Sequence, residues 1–368
     1  MARLGLGSRW KCIFANEWCE KKAAAYRAYF GPSPELVVND VAKVSKADLP
    51  GRPDLVWASF PCQDLSLAGS GAGLDGQRSG TFTPFWKLME GLAKDGREPR
   101  VIVLENVVGT LTSHGGADFS TIVSAFATLR YRVGAFVIDA ARFLPHSRPR
   151  LFVVGTRGDT QIPLGLEATA PSQHWCPDSL VKAQQRMSET VRACWTWWCL
   201  PIPREFISPL ASLIEDRPGG VELHSQAETQ KILSLMSPLH RKKVECARQV
   251  GGRQIGTIYK RTRPNKAGIM AQRAEVRFDG ISGCLRTPVG GSSRQTVMIV
   301  ERGRVLTRLL SPREAARLMG VPDDYPLPAK YNDAYHVFGD GVAVPVVRWI
   351  EKHLLYPLAM AGSFEQVA

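Results

Sequence analysis

The 368-residue sequence has no run of about 18 consecutive apolar residues, which excludes a helical membrane span. It has no CxxC pair. Its eight cysteines (Cys12, Cys19, Cys62, Cys176, Cys194, Cys199, Cys246, Cys284) are scattered along a long chain, which reads as reduced thiols rather than a disulfide framework or a zinc site. It has no apolar leader: Met1-Ala2-Arg3-Leu4-Gly5-Leu6-Gly7 carries an arginine and no hydrophobic core segment, so a signal peptide is not expected and a cytoplasmic protein is. No internal repeat or low-complexity tract is visible. What is present is ample apolar material. At 44% hydrophobic and 22% charged the chain can bury a core, and its length is that of roughly two domains.

The charge is unevenly placed. The formal net charge is +13, and residues 241–304 hold fifteen Lys/Arg against four acids (Glu245, Glu275, Asp279, Glu301), which puts +11 of it in one segment. A solvated surface is one reading; an electrostatic footprint for phosphates explains the concentration better.

The first 160 residues alternate short apolar runs (11–16, 36–39, 54–60, 101–104, 131–138, 150–155) with helix-like stretches (18–30, 82–92, 120–129). That alternation predicts βαβ units and a mostly parallel sheet. From about residue 161 prolines interrupt the pattern, around a tryptophan cluster (Trp195, Trp197, Trp198) that is better read as core packing than as a base-stacking platform. A separate, irregular, β-poor or mixed second domain is expected there. Near the end, Ser311-Pro312-Arg313-Glu314 opens a helix to Met319, with Ser311 as N-cap, and 342–355 reads as a last amphipathic helix.

Three short segments carry chemistry. Ser59-Phe60-Pro61-Cys62-Gln63 directly follows a predicted strand, where α/β sheets collect their catalytic groups, and a cysteine there is placed to act as a thiolate nucleophile. Gly69, Gly71, Gly73, Gly76 and Gly80 follow, a loop able to move over a substrate. On these residues alone, a buried structural cysteine beside a surface loop fits as well. Leu104-Glu105-Asn106-Val107 ends another strand with a carboxylate. His146-Ser147-Arg148-Pro149-Arg150 opens a third strand with two arginines spaced by two, able to hold an anion or a carbonyl oxygen.

Together these segments resemble the bacterial-type DNA (cytosine-5) methyltransferases, in the family's order and over nearly the whole chain. Asn16-Glu17-Trp18 and Asn39-Asp40-Val41 are similar to its cofactor motifs, Pro61-Cys62-Gln63 to its nucleophile motif, Glu105-Asn106-Val107 to its partner motif and Ser147-Arg148-Pro149-Arg150 to its arginine motif. His146 stands where the family usually has Gln. The stretches 308–314 and 317–323 resemble the helix motif that supports the recognition domain. Gly339-Asp340-Gly341-Val342 resembles the last cofactor motif, with Asp340 where Asn is more common.

The resemblance implies a Rossmann-like S-adenosylmethionine-dependent catalytic domain in 1–160, a target-recognition domain in 161–330 and a C-terminal helical return in 331–368. Cys62, Glu105, Arg148 and Arg150 would be catalytic: Cys62 adds to cytosine C6, Glu105 meets N3 and the exocyclic amine, Arg150 reaches O2 and Arg148 supports the thiolate. Glu17, Trp18, Asp40, Val41, Pro61, Asp340, Gly341 and Val342 would hold S-adenosylmethionine. Gln63, Ser66, Arg286, Thr287, Gly290, Gly291 and Arg294 would contact double-stranded DNA. No metal and no membrane is implied; a monomer is expected, with a cognate restriction endonuclease as a separate partner. A base inside a stacked duplex is out of reach, so the cytosine must be flipped out.

The chain also departs from the family. The strand and Gly-rich turn that normally cradle the methionine end of the cofactor are not in it, and 1–7 resembles the helix that follows them. A central strand is therefore expected to be missing and cofactor binding to be weak. A start at an internal methionine of a longer reading frame is the preferred explanation; a chain made in this form, reduced to DNA binding, is the other. A transfer-RNA methylating relative is disfavoured, because the Cys-Phe-Thr signature is missing and a long basic segment is present.

Overall fold

The structure, a computed structural model, describes residues 1–60, 81–203, 208–264, 268–287 and 294–361. The chain divides into two compact units. One comprises Ala2–Asp139, Pro149–Arg204 and Val346–Ala368; the other comprises Met1, Ala140–Arg148 and Glu205–Pro345.

The first unit carries the alternating pattern. After α1 (Ala2–Leu6) come β1 (Ala15–Glu17), α2 (Glu20–Phe30) and β2 (Leu36–Val38). Then follow β3 (Leu55–Ser59), α3 (Phe82–Lys94), β4 (Val101–Val107), α4 (Ala117–Thr128), β5 (Tyr131–Asp139) and β6 (Pro149–Arg157). β1 and β2 pair in parallel as a sheet of their own, while the second sheet has the order β3-β4-β6-β5. The expectation of a mostly parallel sheet holds for β1–β2 and β3–β4 and needs correcting for β6, which is antiparallel to both neighbours. The link at 140–148 is shorter than the dozen or so residues that a parallel crossover needs.

Why these residues form a core is visible in their periods. In α3 the buried side chains are Phe82, Trp86, Leu88, Met89 and Leu92, and in α4 they include Phe119, Ile122, Val123 and Phe126, the i, i+3, i+4, i+7 stripe of a helix lying on a sheet. Trp86 and Phe126 meet with ring centroids 4.8 Å apart. Gly155 of β6 makes this approach possible, since a Cβ there would come within 2.4 Å of the Phe126 ring. β4 is buried from Val101 to Asn106, whereas β3 is half-buried over Leu55–Ala58 and pairs with β4 on one edge. The rest of the unit adds the short pair β7 (Glu167–Ala168) and β8 (Trp197–Trp198), with α5 (Asp178–Gln185) and α6 (Glu189–Ala193) between them. Trp198 is 2% exposed and its indole N–H donates to the Val154 carbonyl at 3.2 Å, so this tryptophan is core.

The second unit is mixed. Its helices α7 (Leu210–Leu213), α8 (Gln226–Ser234) and α9 (Pro238–Val250) precede the strands β9 (Arg253–Pro264), β10 (Met270–Arg277), β11 (Thr296–Glu301) and β12 (Arg304–Leu309). The strands form an antiparallel sheet of order β10-β9-β11-β12. Its core joins Ile232, Met236, Val244 and Ala247 of the helical segment to Ile258, Ala274, Val276, Met298 and Val300 of the sheet. Then come α10 (Pro312–Leu318) and α11 (Tyr331–Asp340). The cap read from the sequence is present: Glu314 N–H donates to Ser311 Oγ at 3.1 Å and Ser311 N–H to Glu314 Oε2 at 2.7 Å. The expected last helix is present as α12 (Val344–Ile350), which runs through a π-helical turn at Glu351–Leu355 into α13 (Tyr356–Met360) and from Val346 on belongs to the first unit.

Candidate functional site

Two clusters of the first unit and one of the second gather the chemically distinctive side chains. The first follows from parallel pairing: β1 and β2 run the same way, with Glu17 opposite Val38, so Glu17 and Asn39-Asp40 leave the sheet at the same end. Asn16 ties the two exits together, its side-chain amide donating to the carbonyls of Val37 (3.1 Å) and Asn39 (2.9 Å). Glu17 Oε1 accepts from Cys19 N–H at 2.9 Å, and Asp40 caps the next turn by accepting from Ala42 N–H at 2.9 Å. Val41 is half-buried in that turn. Next to Glu17 in the chain, Trp18 is 73% exposed. An indole left in water beside two backbone-anchored carboxylates suits a ligand with a flat heteroaromatic ring, an amino group and hydroxyls.

The second cluster lies where β4 ends beside the start of β6. Register pairs Val107 with Arg150 and Glu105 with Phe152. Two residues apart on an antiparallel partner, Arg150 reaches diagonally to Glu105, with Nε 3.1 Å from Oε1. Both are withdrawn from water, at 14% and 7% side-chain exposure. Asn106 is buried as well; its Oδ1 accepts from Val107 N–H at 2.8 Å, while its Nδ2 has no hydrogen-bond partner among the described residues. The Glu105–Arg150 pair offers a buried carboxylate and a guanidinium in one place, a set matched to the edge of a polar heterocycle.

The third cluster is in the second unit. Arg148 is 2% exposed and spends its guanidinium on the backbone: on the carbonyls of Leu285 (2.8 Å), Gly339 (2.9 Å) and Gly341 (2.7 Å), and on Cys284 Sγ at 3.4 Å. It gathers two segments singled out in the sequence, 284–287 and 339–341. Gly339 suits this close approach, because a Cβ would sit tightly at 3.1 Å from Thr287 N and 3.2 Å from the Arg286 carbonyl carbon. Beside it His146 is fully buried: Nδ1 lies 2.9 Å from the Leu318 carbonyl, and Nε2 accepts from Leu285 N–H at 3.0 Å. Burial lowers its pKa below the ordinary imidazole value. Of the cofactor motif at the end of α11, Asp340 is exposed, Gly341 half-buried and Val342 buried.

The remaining expected residues are placed as follows. Arg286 is exposed and Thr287 half-buried. Arg294 is held by α11, with Nη2 2.6 Å from Asn332 Oδ1 and its guanidinium 5.6 Å from the centre of the Tyr331 ring. Pro61, Cys62, Gln63, Ser66, Gly290 and Gly291 lie outside the described residues. Among the described residues no group of three or more His, Cys, Asp or Glu could hold a metal, no helix is long and apolar enough to cross a membrane, and the cysteines are free thiols.

Sequence reasoning missed the network Glu215–Arg308–Ser311–Glu314. Arg308 makes hydrogen bonds to both oxygens of Glu314 at 2.7 and 2.6 Å, and Ser311 Oγ donates to Glu215 Oε2 at 2.7 Å. The i, i+6 spacing across a strand end and a helix start gave no periodic signal for it. The backbone role of His146 was equally hidden, its one sign being the unusual residue at that position.

The family profile described as C-5 cytosine-specific DNA methylase matches residues 2–355. The chain is similar to Type II methyltransferase M.BsuFI of Bacillus subtilis, 25% identical over 98% of this chain and 71% of that protein. It is also similar to Type II methyltransferase M.HpaII of Haemophilus parainfluenzae, 26% identical over 95% of this chain and 84% of that protein. In fold it is similar to the S. pombe Dnmt2 methyltransferase, with a TM-score of 0.56 at 14% identity, covering 95% of this chain and 91% of that one. A match running across both compact units is decisive: the chain belongs to the C-5 cytosine-specific DNA methylase family.

Proposed function

We propose that this protein methylates C5 of a cytosine flipped out of a specific duplex DNA sequence, with S-adenosylmethionine as methyl donor, in the manner of a restriction-modification methylase. The observation that carries this reading is the buried Glu105–Arg150 pair on adjacent strands, since it sets a carboxylate and a guanidinium to grip one pyrimidine edge. Glu105 would hydrogen-bond N3 and the exocyclic amine, and Arg150 would reach O2, stabilising the charge that develops in the ring. Cys62 would add its thiolate to C6, which raises electron density at C5. Once C5 carries the methyl group, a base removes the C5 proton and the electron pair expels Cys62, restoring the ring.

The cluster Glu17, Trp18, Asp40 and Val41 fits S-adenosylmethionine, its acids toward the ribose hydroxyls and adenine amine and its indole along the purine. Pro61, Asp340, Gly341 and Val342 are proposed as further cofactor-binding residues. When bound, this cofactor supplies an electrophilic methyl on its sulfonium. Arg148, which donates to the carbonyls of 285, 339 and 341 and to Cys284 Sγ, is proposed to hold these segments and to support the thiolate side. Gln63, Ser66, Arg286, Thr287, Gly290, Gly291 and Arg294 are proposed to face the DNA, with the basic second unit as the recognition domain.

One strand of the fold is proposed to be missing from this chain. Supporting this are the separation of β1–β2 from the β3-β4-β6-β5 sheet and the half-burial of β3, whose Leu-Val-Trp-Ala sequence suits a strand covered on both sides. The test of the function is covalent trapping on duplex DNA that carries 5-fluorocytosine, which lacks the removable C5 proton. The expected result is a denaturation-resistant adduct that requires S-adenosylmethionine and disappears in Cys62→Ser, while that variant keeps its DNA affinity. An adduct that persists in Cys62→Ser, or duplex binding with no adduct under any cofactor supply, would reject the mechanism.

A further inference from the structure

β9 outruns the sheet it belongs to. Its pairing with β11 stops at Ile258, opposite Thr296, whereas its pairing with β10 continues from Tyr259–Glu275 out to Pro264–Met270. Six residue pairs therefore leave the sheet as a two-stranded ribbon about 20 Å long. Such a ribbon is marginal on its own in water, and a sequence that keeps one needs something to lay against it.

Its chemistry says what. Between 259 and 275 there are five Lys/Arg against the single acid Glu275. Register sets Arg261 directly opposite Arg273 on one face, a like-charge pair that disfavours the ribbon in isolation. Glu275 offsets it in part, 3.6 Å from Arg261 Nε, and the Arg261 guanidinium lies 5.2 Å from the centre of the Tyr259 ring. Arg273 and Gln272 stand exposed, as do Ile269 (66%) and Met270 (62%) where β10 begins. The opposite face is taken up at the ribbon's base, where Ala274 and Val276 pack in the helical core and Ala274 N–H donates to the Leu235 carbonyl. Beyond that base Arg261 and Arg273 are both exposed on one face of the ribbon.

We infer that the β9–β10 ribbon is a clamp on the phosphate backbone of duplex DNA, with Arg261 and Arg273 as its paired phosphate contacts. The inference rests on the DNA-methylating reading above and names residues beyond those already assigned to DNA. A polyanion resolves the repulsion built into the Arg261–Arg273 pair, and a two-stranded ribbon has the width that a DNA groove admits.

The test is fluorescence anisotropy of the full chain on a 30-base-pair duplex, titrated across salt concentrations. Arg261→Ala/Arg273→Ala should weaken binding by about 10- to 100-fold at moderate salt and lower the log–log salt slope by about 1.8, the value for two lost phosphate contacts. The loss should be the same on unrelated duplex sequences, as phosphate contacts require. Arg261→Lys/Arg273→Lys should keep the wild-type slope, which separates lost charge from a misfolded ribbon. Lys87→Ala/Lys94→Ala, removing equal charge from exposed positions of α3, should change affinity by no more than about 3-fold. Unchanged affinity and slope in the arginine-to-alanine variant, an equal loss in the α3 variant, or a loss confined to one DNA sequence would each overturn the clamp while leaving the function standing. Failure of the wild-type chain to bind duplex DNA, or its preference for a structured RNA, would overturn both.

Discussion

His146 is held in one tautomer. Nδ1 faces the Leu318 carbonyl and must carry the proton, so Nε2 is the acceptor for Leu285 N–H; a second proton on the ring would leave that amide facing a donor. Burial accordingly depresses the folded-state pKa from the ordinary value of about 6.5. The sign follows. The unfolded chain binds the proton first as pH falls, so the stabilisation is whole above about 6.5 and drains away as pH drops from there toward the depressed folded value. His146→Gln supplies an amide oxygen for Leu285 and an N–H for Leu318 without titrating. Thermal melting from pH 7.5 to 5 should show that variant losing less stability than the wild type; parallel curves would contradict the account. A histidine in the sequence signals a titratable ring but not its two backbone partners, which come from positions 139 and 172 residues away.

At the scale of elements, the strand β12 and helix α10 are joined by a buried ion pair. Arg308 and Glu314 have side-chain exposures of 2% and 0%, and Glu314 also serves as N3 of the α10 capping box and accepts from Glu215 N–H at 2.8 Å. Removing one partner strands a buried charge, and Glu314→Ala should cost about 3–5 kcal/mol in urea unfolding. The double variant Arg308→Met/Glu314→Leu should recover most of that, since two apolar groups leave no orphan ion; no recovery would show that the cap and the Glu215 contact, rather than the ion pair, hold the junction. The cap was legible from Ser311 and Glu314 because a capping box is local. The ion pair was not, because it needs β12 and α10 to meet at an angle that spacing does not specify.

For the whole molecule, the split between β1–β2 and β3-β4-β6-β5 bears on the cofactor. On the proposed reading Glu17 and Asp40, each held by a backbone N–H, would meet the ribose and the adenine, and the Gly-rich turn whose backbone amides would meet the methionine carboxylate would lie ahead of residue 1. The chain as given should therefore bind S-adenosylmethionine weakly. Grafting a strand and Gly-rich turn from a relative ahead of Met1 should tighten binding by at least about tenfold in calorimetric titration, a gain of about 1.4 kcal/mol. Equal affinity of the two chains would mean that the described sheet already forms the complete pocket.

The sequence by itself determined the alternation of strands and helices in the first 160 residues, the cap of α10, the position of Glu105 and Arg150 at strand ends and the concentration of basic charge before residue 305. Each of these is local: a period, a cap, a strand terminus or a composition is fixed by neighbours in the chain. Tertiary structure alone decided that β6 runs antiparallel, that Arg150 closes on Glu105 while Arg148 turns to the carbonyls of 285, 339 and 341, and that β9 and β10 extend past their sheet. Those outcomes depend on which surfaces meet, because a guanidinium takes whichever acceptors the packing brings within about 3 Å, and residues two apart in sequence can meet quite different ones.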